Sequence, residues 1–127
     1  MGTFLLIGLG GFFGAILRYA LSDFIQNWSK ASQFPLGTLV VNLVGCLLIG
    51  ALAQLAEARD IFTPETSALV FLGFLGAFTT FSTFSSDSFN LFQSGNSLLF
   101  YLNIGASVIF GLFAVWLGRT IVSLVST

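Results

Sequence analysis

Residues 73–86, GFLGAFTTFSTFSS, set hydroxyls and phenylalanines side by side inside an otherwise membrane-grade apolar run. Thr79, Thr80, Ser82, Thr83, Ser85 and Ser86 place six hydroxyls among eight residues, and Phe78, Phe81 and Phe84 recur at every third position. Read as a helix, Thr79, Ser82, Thr83 and Ser86 form one stripe and the phenylalanines its neighbour. Gly73 and Gly76 loosen the backbone, and a break in this segment would free carbonyls and amides. A bilayer tolerates such groups only where protein or a water-filled cavity satisfies them. Half-helix ends and unwound carbonyls are a recurrent way to hold an ion at mid-membrane. The plainer alternative is a packed helix whose hydroxyls bond back to the i−4 carbonyls. So dense a run of hydroxyls favours a polar solute.

Other segments carry polar groups at similar depth. In PLGTLVVNLVG, Thr38, Asn42 and Gly45 are spaced i, i+4, i+7 and share one helix face. An Asn in hydrocarbon is costly unless its amide finds partners, so Asn42 is either glue between helices or part of a polar path. Asn103 and Ser107 share a face at i, i+4, and Tyr101 suits either that track or an interfacial aromatic belt. Arg18 either snorkels to the interface beside Tyr19 and Asp23 or gives a vestibule positive charge that concentrates anions.

Absences narrow the chemistry. The chain has no His, a single Cys46 and no carboxylate at the centre of an apolar run. Proton-coupled pumps need a titratable group along the path, and neither a nucleophile–base pair nor a phosphate-binding loop is present. A passive pathway therefore fits better than an enzyme. Hydroxyls and an amide can replace water around an anion or a cation. The positive edges of aromatic rings and the lack of an inward carboxylate ring lean towards an anion.

The elements that must position these groups follow from the charges. Of 127 residues 56% are hydrophobic and only 7% charged, far below the quarter usual in soluble domains. Uncharged runs of 17, 26, 21 and 31 residues end at Arg18, Glu57, Asp87 and Arg119. About 20 apolar residues cross a ~30 Å hydrocarbon core, so four transmembrane helices are expected near 3–24, 36–55, 66–92 and 98–122, forming one all-α membrane domain. The third is expected to break at mid-membrane. MGTFLLIGLGG has no basic residue ahead of the apolar run, which argues against a cleaved signal peptide. Lys and Arg divide two against two between the sides, with Arg59 and Arg119 opposite Arg18 and Lys30. Loop charge normally sets orientation, so the balance suggests dual topology and an antiparallel homodimer, the assembled form of an inverted repeat. Gly10 and Gly14 have the spacing that lets backbones approach, with further thin points at Gly45, Gly50, Gly105, Gly111 and Gly118.

GGFFGAILRY, PLGTLVVNLVG and GFLGAFTTFSTFSS together resemble the Fluc (CrcB) fluoride channels, over essentially the whole chain. The resemblance implies a dual-topology antiparallel homodimer exporting fluoride from the cytoplasm across the bacterial inner membrane, through two pores built from both subunits. It implies that the ring edges of Phe81 and Phe84 face the ion, that Asn42 is the pore asparagine and that Ser82 and Thr83 form the hydroxyl track. It places Ser107, and less directly Tyr101, on the same path, and Arg18 at the vestibule. It also implies a structural Na+ on the dimer axis, held by backbone carbonyls of Gly76 and Thr79; oxygen ligands suit such a hard cation. The partners expected are fluoride, a second copy and the bilayer, with no nucleic acid. Two alternatives stand beside it. A proton-coupled multidrug-type exporter would want a glutamate embedded in the first span, and none is there. A non-transporting assembly subunit would carry no ion alone.

Overall fold

The computed structural model describes residues 1–30 and 32–126. It contains α1 (Gly2–Trp28), α2 (Leu36–Arg59), α3 (Pro64–Ser67), a π-helical segment (Ala68–Leu75), α4 (Gly76–Phe78), α5 (Phe81–Gln93) and α6 (Ser97–Val125). The stretch Pro64–Gln93 acts as one interrupted span, so four helical segments are long and apolar enough to cross a membrane. Their most apolar windows are only 11% to 33% buried within the subunit. The remaining apolar surface needs a bilayer or another protein to cover it.

Local chemistry sets the ends. Pro35 precedes the first turn of α2, and Asp60 stops that helix in the left-handed conformation (φ 47°). Thr63 caps α3 by accepting from the Thr66 N–H at 3.2 Å, with Pro64 at the first helical position, where its missing N–H costs little. After α5 the chain turns at Gly95 (φ 83°), a conformation open to glycine without a Cβ penalty. The connections after α1 and α5 lie at one end of the bundle, joined by an Asn96 Nδ2 to Gln33 Oε1 hydrogen bond of 2.6 Å. Gln26 accepts from the Gly37 N–H at 3.1 Å and donates to the Phe34 carbonyl at 3.3 Å, tying that connection to α1.

Glycine, not a broad apolar core, brings the helices together. Gly10 and Gly14 of α1 lie against the backbone of Leu69, Gly73 and Phe74, while Gly50 and Gly118 seat α2 and α6 on one another through Val115 and Leu47. A Cβ at any of these four positions would strike backbone. Lipid supplies no hydrophobic drive between helices, so close van der Waals approach must supply it. Gly105 differs, having no neighbour within 4 Å in the subunit. Most of the thin points are thus used within one chain. At the end opposite the Gln33–Asn96 contact, Arg119 makes a paired salt bridge to Glu57 at 3.1 Å and donates to Gln54 at 3.2 Å.

Candidate ion pathway

The third span changes character along its length. Eight residues, Ala68–Leu75, are π-helical, a form rare at this length and enriched at functional sites. Helical geometry ends after Phe78: Thr79 is extended (φ −88°, ψ 157°), as is Thr80 (φ −150°, ψ 118°). The interruption falls on the two threonines at the end of GFLGAFTT. Its consequence is to separate residues that a continuous helix would align. Phe78 turns inward, 4% exposed and stacked on Phe74 at 5.9 Å, whereas Phe81 and Phe84 lie beyond the break, 5.6 Å apart and tilted by 43°.

Three successive turns of one α2 face receive the interrupted span. Thr38 Oγ1 donates to Asp87 Oδ2 at 3.0 Å, Asn42 meets Thr80, and Gly45 leaves room for the Thr79 methyl and the Phe78 ring. Asn42 is the central contact. Its Nδ2 donates to the Thr80 carbonyl at 3.0 Å, and its Oδ1 accepts from the Thr80 N–H at 2.8 Å. The amide replaces the partners that the break removes, which such a break in a membrane requires. A second Asn42 N–H remains for another acceptor.

The Thr80 side chain organises the other side of the break. It accepts from the Thr83 N–H at 3.1 Å as the cap of α5, donates to Thr83 Oγ1 at 3.1 Å and lies 3.2 Å from Ser82 Oγ. In a continuous α-helix the Thr80 N–H would serve the Gly76 carbonyl and the Thr83 N–H the Thr79 carbonyl. Both donors are diverted, to Asn42 and to the Thr80 hydroxyl. Gly76 and Thr79 therefore present carbonyl oxygens without their usual helical donors. Gly76 is exposed, and a Cβ there would meet only the Phe71 carbonyl, at 3.6 Å. Such oxygens suit a hard cation. Among the described residues no cluster of His, Cys, Asp or Glu could hold a metal.

Beside the break runs an open, mainly apolar groove of ≈ 410 Å³. Asn42, Gly76, Thr79, Phe81, Phe84 and Ser107 all line it, together with Thr80, Cys46 and Val108. Ser82 and Thr83 are exposed on the first turn of α5, next to the groove in sequence but outside its lining. Tyr101 is 67% exposed, packs edge-on against Phe100 at 5.0 Å and does not line the groove. Arg18, half-buried on α1, is also outside the lining. A second, polar cavity of ≈ 460 Å³ opens at the Gln33–Asn96 end, with Asp87 in its wall.

Two participants went unread in the sequence as parts of a site. Thr80 is one; its signal is a threonine three residues ahead of Thr83, the spacing of an N-cap. Ser88 is the other. It is buried against Asn103, which shares a face with Ser107, and Asn103 Nδ2 donates to Ser88 Oγ at 2.9 Å.

An interrupted span, polar groups converging on the break and an apolar exterior define a multi-pass membrane protein with a candidate ion path. The chain belongs to the family described as "CrcB-like protein, Camphor Resistance (CrcB)", which residues 5–119 match. It is 51% identical over 119 residues to "Fluoride-specific ion channel FluC 1" of Methanosarcina acetivorans, covering 94% of this chain and 89% of that protein. It is 40% identical over 121 residues to "Fluoride-specific ion channel FluC 3" of Methanosarcina barkeri (95% and 90% covered). Against "Fluoride-specific ion channel FluC" of Shewanella woodyi the identity is 43% over 122 residues (96% and 97% covered).

Proposed function

We infer that this chain is the subunit of a fluoride-specific ion channel of the cell membrane, a passive conductor and not an enzyme. The observation that carries the reading is the convergence of Asn42, Phe81, Phe84 and Ser107 on one groove beside the interrupted span, in a chain closely similar to fluoride channels over nearly its full length. Fluoride is small and strongly hydrated, so its water must be replaced by close donors. The remaining Asn42 N–H, the Ser82, Thr83 and Ser107 hydroxyls and the positive ring edges of Phe81 and Phe84 supply many weak contacts. Many weak contacts let an ion enter without trapping it. No mid-span carboxylate is required, because an inside-negative potential drives an anion outward with about 2.3 kcal/mol per 100 mV.

The working unit is an antiparallel homodimer with two pores, each walled by both copies. Phe81, 79% exposed in the lone subunit, and the open side of the groove support a second copy as the missing wall. The balanced basic residues support insertion in both orientations. A structural Na+ sits where the Gly76 and Thr79 carbonyls of two copies converge; the diverted donors at the break support that role. Arg18 lies at the aqueous approach, and Tyr101, exposed on α6, is a less direct member of the path.

Fluoride efflux from proteoliposomes holding only this protein, with chloride as control, tests the reading. Fast fluoride loss without chloride loss is expected. No flux would leave an assembly subunit, and flux driven by a proton gradient would indicate a coupled exporter.

A further inference from the structure

The helix that carries both groove phenylalanines is poorly packed. α5 buries only Ser88 and Leu91, and within the subunit it touches α6 and little else. Polar tethers hold it instead: Asn42 on Thr80 at its start, Thr38 on Asp87 about two turns on, and Asn103 of α6 on Ser88. The third tether differs because both partners are sealed from solvent, Ser88 5% and Asn103 2% exposed. It also continues inward. Ser88 Oγ donates to the Phe84 carbonyl at 2.7 Å while accepting from Asn103 Nδ2 at 2.9 Å.

A buried relay of this kind is strengthened by low dielectric and is costly to leave half-made. It joins two matching steps on facing helices. Asn103 and Ser107 are one turn apart on α6; Ser88 and Phe84 are one turn apart on α5. Locking the lower pair sets the rotation of α5 at the upper pair, where Phe84 and Ser107 line the groove together. We propose that Asn103 and Ser88 are positioning residues for permeation: their hydrogen bond fixes the backbone of Phe84, and so the ring, against Ser107. They touch no ion themselves. The role rests on the channel reading above.

The test uses full-length protein in proteoliposomes, as wild type, Ser88→Ala, Asn103→Leu, the double variant and Ser88→Thr. Efflux is read on these unlabelled proteins, and a parallel set carries 4-fluorophenylalanine at position 84 for 19F spectroscopy alone. Ser88→Ala and Asn103→Leu are each expected to lower fluoride efflux by about tenfold, the scale of one buried hydrogen bond lost. The double variant should be no slower than the slower single one. Ser88→Thr, which keeps the hydroxyl, should retain both efflux and the wild-type resonance, whereas the tether-breaking variants should shift or split it. Wild-type efflux in Ser88→Ala, or additive losses in the double variant, would overturn the proposal. The two readouts separate the readings: if unlabelled wild type passes no fluoride the channel is wrong, while an unmoved resonance in labelled Ser88→Ala shows the tether to be wrong. Ser88→Ala changes one oxygen atom, so it remains decisive should Asn103→Leu fail to assemble.

Discussion

The side chain of Asn42 holds both main-chain polar groups of Thr80, the C=O at 3.0 Å and the N–H at 2.8 Å, across 38 residues of sequence. A side-chain amide here stands in for a turn of helix. It stabilises an interruption that hydrocarbon would otherwise forbid, and it releases the Gly76 carbonyl from its helical donor.

Asn42→Ala removes both of these bonds at once. Both bonds are only part-buried, and a lost hydrogen bond costs about 0.5–1.5 kcal/mol net. Unfolding in detergent followed by denaturant or heat should therefore show a loss of about 1–3 kcal/mol for the two. Asn42→Asp keeps an acceptor for the Thr80 N–H but loses the donor to its carbonyl, and its fluoride efflux should also fall well below wild type.

Phe81→Ile and Phe84→Ile retain apolar bulk and remove the positive ring edge. Efflux measurements should show strong suppression in each, while size-exclusion chromatography shows unchanged assembly. Wild-type conductance in both variants would rule out the ring-edge contact.

Gly14→Ala places a Cβ into the backbone at Phe74, and Gly50→Ala places one into Val115. Overpacking of this sort costs about 1–3 kcal/mol. Gly8 has nothing within 4 Å, so Gly8→Ala should be neutral, or slightly stabilising because Ala favours helix. Thermal stability of the three purified variants orders them.

Replacing Na+ by a bulky organic cation throughout purification should loosen the association of two copies and lower efflux, with recovery on returning Na+. Thr79→Ser keeps the main-chain carbonyl and should behave as wild type in both measurements. A dimer indifferent to Na+ would exclude the central cation.

A topology reporter fused to the C-terminus should give signal on both sides of the membrane. Adding two lysines to the connection after α1 is expected to bias insertion towards one orientation and reduce efflux. Co-expressing the oppositely biased variant should restore it. A single orientation in the unmodified chain would remove the antiparallel arrangement.

Much of the site could be read from the chain because its signals are local. Thr38, Asn42 and Gly45 share a face by spacing alone, and all three meet the interrupted span. The hydroxyl run warned of a weak helix, yet the phenylalanine period misled at one point. Phe78 keeps the spacing of Phe81 and Phe84 but is stacked on Phe74, since two extended residues intervene. Tyr101 and Asn103 lie two residues apart, yet on α6 Tyr101 is exposed in the single subunit while Asn103 is buried. A two-residue offset on a helix turns a side chain through more than half a circle.

The sequence by itself determined that this chain crosses a membrane and carries no carboxylate at the centre of an apolar run, because charge spacing along a line is enough to divide hydrocarbon from water. It also carried the motifs of the family. Only the tertiary structure decided where the third span stops being a helix and what makes the stop tolerable. That depends on whether a distant amide reaches the Thr80 backbone, on glycines thin enough to let α2 and α6 touch, and on Asn103 finding Ser88. Those are contacts between residues far apart in the chain, and no periodicity within one segment encodes them.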